Sequence, residues 1–212
     1  MSTADRRAGA VARAYLAACR LDVQALKPGN VSVESPGHGM HADDFVRSAE
    51  ASAEQIARPG AALGERVRLA VAASRRLTGC NTNLGIVLLC APLAQAALDY
   101  PDTALPTAVR RALLAATVDD TEQIYAAIRL AAPGGLGASE RHDVRRPVGV
   151  TPVRAMAEAA GRDRIARQYS TGYRDIFGLA SGRLAAARRA GMGELDAVTD
   201  LFLFLLSRFP DS

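Results

Sequence analysis

The 212-residue sequence has no tryptophan, only 5% aromatic residues and no long uninterrupted apolar run. Because a membrane-spanning helix needs about 20 apolar residues, we expect no membrane partner. Residues 1–10 lack the apolar stretch of a signal peptide, so we expect a cytoplasmic protein. The net charge is +4, but the basic residues are dispersed and few aromatics interleave them. This pattern is not typical of a nucleic-acid-binding surface.

Cysteine and lysine are also scarce. Cys19, Cys80 and Cys90 are odd in number, scattered and without a CxxC pair, which argues against a disulfide framework and a cysteine zinc site. We therefore expect reduced thiols. Among 26 basic residues, Lys27 is the only lysine. A single lysine in an arginine-rich chain suggests a need for a compact ammonium group, and chance retention is the alternative.

Apolar residues recur at helical spacing through nearly the whole chain, and no strand pattern persists. The predicted helices span residues 10–25, 43–58, 63–77, 84–98, 106–114, 120–132, 151–160, 164–171, 175–190 and 195–209. Asp120 and Gln123 indicate a capped start for the sixth of them. With 49% hydrophobic residues available for a core, we predict one all-α, multi-helix domain over residues 1–212. Its active-site cleft should be formed by the loops between helices.

The polar stretch at residues 78–85 runs directly into the apolar helix predicted at 84–98. Asn81 and Asn83 place two amides at the start of a helix that should be buried, and buried amides need partners or a ligand. We expect both amides to point into a cleft. A satisfied structural network is the alternative for both.

Other loops offer weaker candidates. Glycines at 134–137 would let backbone N–H groups approach a phosphate, although a helix stop explains them equally well. The aspartates at loop–helix junctions have an ordinary explanation as N-caps, whereas several in one cleft would form a magnesium–phosphate site. The histidines have no metal-ligand spacing, and solvated loop positions are the simpler interpretation of each.

Several motifs occur in the order in which they occur in a known family. They are Lys27-Pro28-Gly29-Asn30-Val31-Ser32, Gly79-Cys80-Asn81-Thr82-Asn83-Leu84-Gly85, Thr117-Val118-Asp119-Asp120, Pro133-Gly134-Gly135-Leu136-Gly137, Asp143-Val144 and Asp163 through Gln168-Tyr169 to Asp175-Ile176-Phe177. Through them the chain resembles the triphosphoribosyl-dephospho-coenzyme A synthase family over nearly its whole length. The motif variants are closer to the branch of archaea and one-carbon-metabolising bacteria than to the citrate lyase branch.

The resemblance implies an all-helical transferase that joins the triphosphoribosyl group of ATP to 3′-dephospho-coenzyme A and releases adenine. Small-molecule nucleotides would be its substrates and Mg²⁺ its cofactor. The implied roles divide among three groups of residues. The catalytic group is Asn81, Asn83, His38 and Asp43; the substrate-binding group is Lys27, Gly29, Asn30, Thr82, Gly134, Gly135, Gly137 and Gln168; the Mg²⁺ ligands are Asp120, Asp143 and Asp175.

The chain stops at Ser212, where the family pattern continues into further helices, so we expect a chain that is truncated relative to the family. The apolar face from Leu201 to Phe209 should then pack into the core or against missing sequence, and a homo-oligomer is possible. The alternatives to the implied activity are ribosyl transfer to a different acceptor in one-carbon coenzyme biosynthesis and a non-catalytic helical nucleotide-binding protein.

Overall fold

The computed structural model of the protein describes residues 2–37, 39–134 and 139–209. These residues form ten α-helices and no strand, which confirms the predicted all-α class. The helices are α1 (Thr3–Gln24), α2 (Ala42–Ile56), α3 (Leu63–Thr78), α4 (Leu84–Asp99), α5 (Leu105–Ala115), α6 (Val118–Ala131), α7 (Pro152–Ala159), α8 (Arg164–Thr171), α9 (Ser181–Arg189) and α10 (Glu194–Arg208). None of the helices in the described ranges is long and apolar enough to cross a membrane.

Capping explains two differences from the predicted boundaries. Helix α1 begins at Thr3 rather than near residue 10, because Ser2 and Asp5 form a reciprocal capping box. Helix α6 begins at Val118, and its N-cap is Thr117 rather than the predicted Asp120. The Asp120 carboxylate instead accepts a hydrogen bond from the Thr117 backbone N–H at 2.7 Å. The polar side chains that close each box therefore set where these helices start.

The predicted helix over 175–190 is divided. A six-residue π-helical segment, Asp175–Ala180, precedes α9. Gly172 and Tyr173 both have φ of 64° and form the turn between α8 and this segment. A left-handed backbone is uncommon for tyrosine, so the surrounding packing must hold it. The Tyr173 side chain is fully buried.

Helix α4 is the central helix and contains Pro92, which is itself fully buried. Proline has no N–H, so the carbonyl of Leu88, four residues earlier, loses its donor within the helix. The Tyr169 hydroxyl donates to this carbonyl at 2.8 Å, and the Tyr173 hydroxyl donates to the neighbouring Leu89 carbonyl at 2.8 Å. Two buried tyrosines thus attach the end of α8 to the interruption in α4.

Helix α3 packs against both α2 and α6. At its crossing with α6, a Cβ on Gly64 would lie 2.5 Å from the Asp120 carbonyl oxygen, so only glycine fits. The Gly64 N–H donates to the Asp120 carboxylate at 2.7 Å. Because that carboxylate also accepts from Thr117, it joins the first turns of two helices, where backbone N–H groups lack partners within the helix.

A fully buried arginine joins α3 to the end of α2. Arg66 donates to the carbonyls of Ile56 at 2.6 Å, Arg58 at 3.0 Å and Ala61 at 3.0 Å. The carboxyl-terminal carbonyls of a helix carry partial negative charge, which partly compensates the buried cation. Burial nevertheless lowers the pKa of the Arg66 guanidinium.

Helix α10 lies on the surface of the bundle. Its contacts are with α9 and α1, and Ala197 is its one buried residue. Leu195, Leu203 and Leu206 are 43%, 46% and 39% exposed. The apolar final segment therefore packs onto the surface of the bundle and does not enter the core.

Replacing Gly64 by alanine should lower the free energy of unfolding by about 1–3 kcal/mol, because the new methyl group overlaps the backbone of α6. Chemical denaturation with a helical circular dichroism signal measures the change. Gly149→Ala is the matched control, since a Cβ there meets no atom within 4 Å. Equal stability of the two variants would contradict a tight α3–α6 crossing.

The tie between Tyr169 and the Pro92 interruption can be tested with a double-mutant cycle. Tyr169→Phe leaves the Leu88 carbonyl buried without this donor and should cost about 1–3 kcal/mol of folding free energy. In a Pro92→Ala background the helix regains its own donor, so the same substitution should cost less. Tyr100→Phe, at a partly exposed tyrosine, is the control. An identical cost in both backgrounds would show that the hydroxyl does not serve this carbonyl.

Candidate functional site

A cleft of about 540 Å³ lies between the start of α4, the end of α6, and the α7–α8 pair. Leu84, Leu88, Ile128, Met156 and Ile165 form its apolar part. A volume in this range is typical of small-molecule sites, which are mostly apolar with a few polar groups that orient the ligand. We call this feature the central cleft.

Polar residues also line the central cleft. They are Asn81, Ser139, Arg141, His142, Asp143, Glu158, Arg162 and Asp163. Four of them, Arg141, Glu158, Arg162 and Asp163, are exposed, and we call these four the charged opening. Arg141, on the loop after α6, faces Glu158 of α7 at 3.5 Å, and both side chains are partly solvent-exposed. Such exposed pairs contribute little to stability. The two charges are therefore available to a ligand at small cost.

The segment 139–145 forms one wall of the central cleft and is organised by Asp143. Its carboxylate accepts from the backbone N–H groups of Ser139 at 3.0 Å and Arg145 at 2.9 Å, and it pairs with the Arg145 guanidinium at 2.7 Å. These hydrogen bonds, led by that from the Arg145 side chain, hold the pKa of Asp143 well below its usual range. Asp143 is thus ionised and fully engaged in shaping the loop.

Tyr125 of α6 holds the same wall through a hydrogen bond to its backbone. Its hydroxyl donates to the His142 carbonyl at 2.5 Å. Burial, with smaller contributions from the charges of Asp143 and Glu122, raises the pKa of Tyr125 to about 12. The phenol is therefore a proton donor in this hydrogen bond throughout the physiological pH range.

The two amides of the 78–85 stretch lie in different surroundings. Asn81 lines the central cleft, and its side-chain oxygen accepts from the Leu84 N–H at 3.3 Å. Asn83 is buried and donates to the hydroxyls of Tyr15 and Ser52, both at 3.4 Å. The prediction that both amides face a cleft is confirmed for Asn81 and wrong for Asn83, which belongs to a satisfied structural network.

That network extends between α1, α2 and α3. Ser52 contacts the Tyr15 hydroxyl at 2.9 Å and donates to the Ser48 carbonyl at 2.7 Å. Ser48 and Thr82 are joined through their hydroxyls at 2.5 Å. Thr82, predicted to bind substrate, is therefore turned towards α2 and does not line the central cleft.

The loop after α1 does not reach the central cleft. Lys27 is buried and its ammonium group is paired with Asp22 of α1. Gly29 has φ of 83° and forms a turn, and Asn30 is exposed. Asp43 is exposed in the first turn of α2. None of these four predicted site residues lines the cleft. The structure therefore does not place the Lys27 segment in the wall of the cleft.

The three predicted Mg²⁺ ligands are not brought together. Asp143 organises the cleft wall, and Asp120 joins α3 to α6. Asp175 accepts from Arg164 at 2.6 Å and from the Gln168 amide at 3.0 Å. Within residues 2–37, 39–134 and 139–209, no three His, Cys, Asp or Glu side chains are grouped to hold a metal ion. Each carboxylate instead satisfies donors of the fold.

The remaining predicted residues fall into two groups. Gly134 lines the central cleft, whereas Gln168 is buried in the Asp175 cluster. His38, Gly135 and Gly137 lie outside the described residues. The structure therefore brings Asn81, Gly134 and Asp143 together from the predicted set.

The sequence predicts no site role for several polar residues of the cleft, among them Tyr125, Arg141, His142, Glu158, Arg162 and Asp163. Arg141 stands in the charged segment 140–146, which distinguishes this loop from the others. Arg162 and Glu158 carry no such signal, because α7 and the turn after it reach the cleft through the tertiary packing of α7 on α8 and α6.

One family model, described as ATP:dephospho-CoA triphosphoribosyl transferase, matches residues 8–212 of the chain. No significant match to a curated protein or to a solved structure was found. The family match covers every element that forms the central cleft.

The different positions of the two amides predict different effects on stability. Asn83→Ala should lower the free energy of unfolding by about 1–3 kcal/mol, because it leaves a cavity and removes a donor from buried hydroxyls. Asn81→Ala, the matched control two residues away, should cost less than about 1 kcal/mol. Urea denaturation of both variants measures the difference. A larger loss for Asn81→Ala would contradict these assignments.

Proposed function

The chain belongs to the ATP:dephospho-CoA triphosphoribosyl transferase family, and we propose that the central cleft is where it binds ATP and carries out the transfer. The enzyme joins the triphosphoribosyl group of ATP to dephospho-coenzyme A and releases adenine. Its substrates are small-molecule nucleotides. Nothing in the family match favours a different acceptor or a non-catalytic protein.

The reaction breaks the bond between the ribose anomeric carbon and the adenine base. Positive charge develops on the ribose ring in the transition state, and negative charge develops on the departing base. A suitable site therefore holds the base in an apolar region, supplies a proton or hydrogen bond to it, and neutralises the triphosphate with cations. The central cleft has groups for each of these requirements.

The observation that carries the proposal is that the apolar residues of this cleft are buried or half-buried, whereas the four residues of its charged opening are exposed. The apolar interior, with Leu88, Ile128 and Met156, suits a planar base. Asn81 stands where the first turn of α4 meets this interior. An amide presents both a donor and acceptors, so Asn81 can orient the base or the ribose hydroxyls.

The charged opening suits the triphosphate. Arg141 and Arg162 stand on two different walls of the cleft, and guanidinium groups bind phosphate oxygens through paired N–H donors. Gly134, in the loop after α6, also lines the cleft. With no side chain, it lets a phosphate approach the backbone closely. Phosphates held at the opening would leave the anomeric carbon inside the cleft.

Mg²⁺ fits this arrangement as a companion of the triphosphate. Magnesium is commonly held by one or two carboxylates together with substrate phosphates, and it does not need a cage of protein ligands. Glu158 and Asp163 are the carboxylates at the charged opening that would hold it. When bound, Mg²⁺ neutralises part of the triphosphate charge. Arg141 and Arg162 then orient the remaining oxygens.

Arg162→Ala should reduce kcat/KM for ATP by about 10- to 100-fold, mainly through a higher KM, because it removes a charged hydrogen-bond donor to phosphate. Asn81→Ala should instead lower kcat. Chromatographic measurement of adenine released from ATP in the presence of dephospho-coenzyme A gives both constants.

Arg189→Ala is the matched control, since Arg189 is an exposed arginine at the end of α9 and does not line the cleft. It should leave both constants unchanged. If Arg162→Ala has wild-type constants while the unmodified enzyme is active, ATP binds elsewhere. Adenine release that does not depend on dephospho-coenzyme A would contradict the acceptor.

A further inference from the structure

His142 has φ of 52°, in the left-handed region that residues with a Cβ seldom occupy. Strained backbone of this kind persists where neighbouring groups hold it, and it concentrates at functional sites. His142 is also part of the wall of the central cleft. The strain therefore falls on a residue that a bound ligand would contact.

The restraints on this backbone come from both sides. The Tyr125 hydroxyl holds the His142 carbonyl at 2.5 Å. The next residue, Asp143, is held by the N–H groups of Ser139 and Arg145, and Arg129 donates to the Val144 carbonyl. The conformation of His142 is thus imposed by four side-chain contacts within a few residues.

These contacts are more than a turn requires. A glycine would adopt the same φ without strain, and an arrangement that served only to reverse the chain would need no imidazole. Of the histidines in the described part of the chain, His41 precedes α2 and is exposed, whereas His142 lines the cleft. Imidazole is the side chain best suited to proton transfer near neutral pH.

Resting on the proposed function, we propose that His142 is the proton donor to the departing adenine and that Tyr125 is its positioning residue. As the C–N bond between ribose and adenine breaks, its electron pair passes to the base, and a base nitrogen takes the imidazolium proton. The anomeric carbon then forms a C–O bond with the acceptor hydroxyl. The hydroxyl proton leaves to water at the cleft opening, and His142 regains a proton from water.

The decisive variant is His142→Gly, because it removes the backbone strain and the imidazole together, and the two losses affect different measurements. Glycine relieves the backbone strain, so the melting temperature should stay the same or rise. Adenine release should fall by about 10²- to 10⁴-fold, the usual contribution of a general acid. Added imidazole should restore part of the lost rate, since the variant leaves space in the cleft wall.

Tyr125→Phe tests the positioning role. It should lower kcat about 10-fold with little change in the KM for ATP, because it removes a restraint on His142 and leaves the phosphate contacts intact. In the His142→Gly background the same substitution should have no further effect on adenine release. A residue with a purely structural role would lower activity equally in both backgrounds.

Two results would overturn the assignment and leave the proposed function standing. One is wild-type adenine release by His142→Gly, and the other is an equal effect of Tyr125→Phe in both backgrounds. The proposed function fails separately, and this inference with it, if the unmodified enzyme releases no adenine from ATP in the presence of dephospho-coenzyme A.

Discussion

The position of the cleft depends on the Leu88 carbonyl, which Pro92 leaves without a donor in the middle of α4. In an all-helical core, nearly every backbone polar group is satisfied within its own helix, so an interruption demands a partner from outside. Tyr169 supplies it, and Tyr173 adds a second hydrogen bond at the neighbouring Leu89 carbonyl. Because these tyrosines flank the end of α8, the same hydrogen bonds hold α8 against α4. The α8 wall of the cleft is consequently held by hydrogen bonds that one proline makes necessary.

Polar side chains elsewhere in the bundle act in the same way, at the ends of helices. Asp120 accepts hydrogen bonds at the starts of α3 and α6, and Arg66 donates to the last carbonyl of α2 and to two carbonyls of the loop after it. Asp143 likewise accepts hydrogen bonds from backbone N–H groups of the loop 139–145, which forms no helix or strand. These groups are buried and hydrogen-bonded, and they hold the framework on which the exposed polar groups of the cleft, Arg141 and Arg162, are carried.

The helices could be predicted from the sequence because apolar periodicity and proline or glycine stops are local properties. The structural role of each polar residue could not be predicted, because it depends on partners that are distant in the sequence. Asn81 and Asn83 stand two positions apart in one loop, yet one reaches the cleft and the other reaches hydroxyls from α1 and α2. Asp120 and Asp143 both follow the pattern of an N-cap or metal ligand, and only their distant partners, Gly64 and Arg145, distinguish a helix junction from a loop wall. The same limit applies to Arg162, which reaches the cleft because α7 packs on α8.

The absence of tryptophan gives the tyrosines of this enzyme an additional significance. Tyrosine emission is normally masked by energy transfer to tryptophan, and here it is not. Tyr125 lines the cleft, whereas Tyr169 and Tyr173 are sealed in the core at 1% and 0% exposure. A ligand that enters the cleft changes the surroundings of Tyr125. Part of the intrinsic tyrosine emission of the molecule therefore originates in the wall of the cleft.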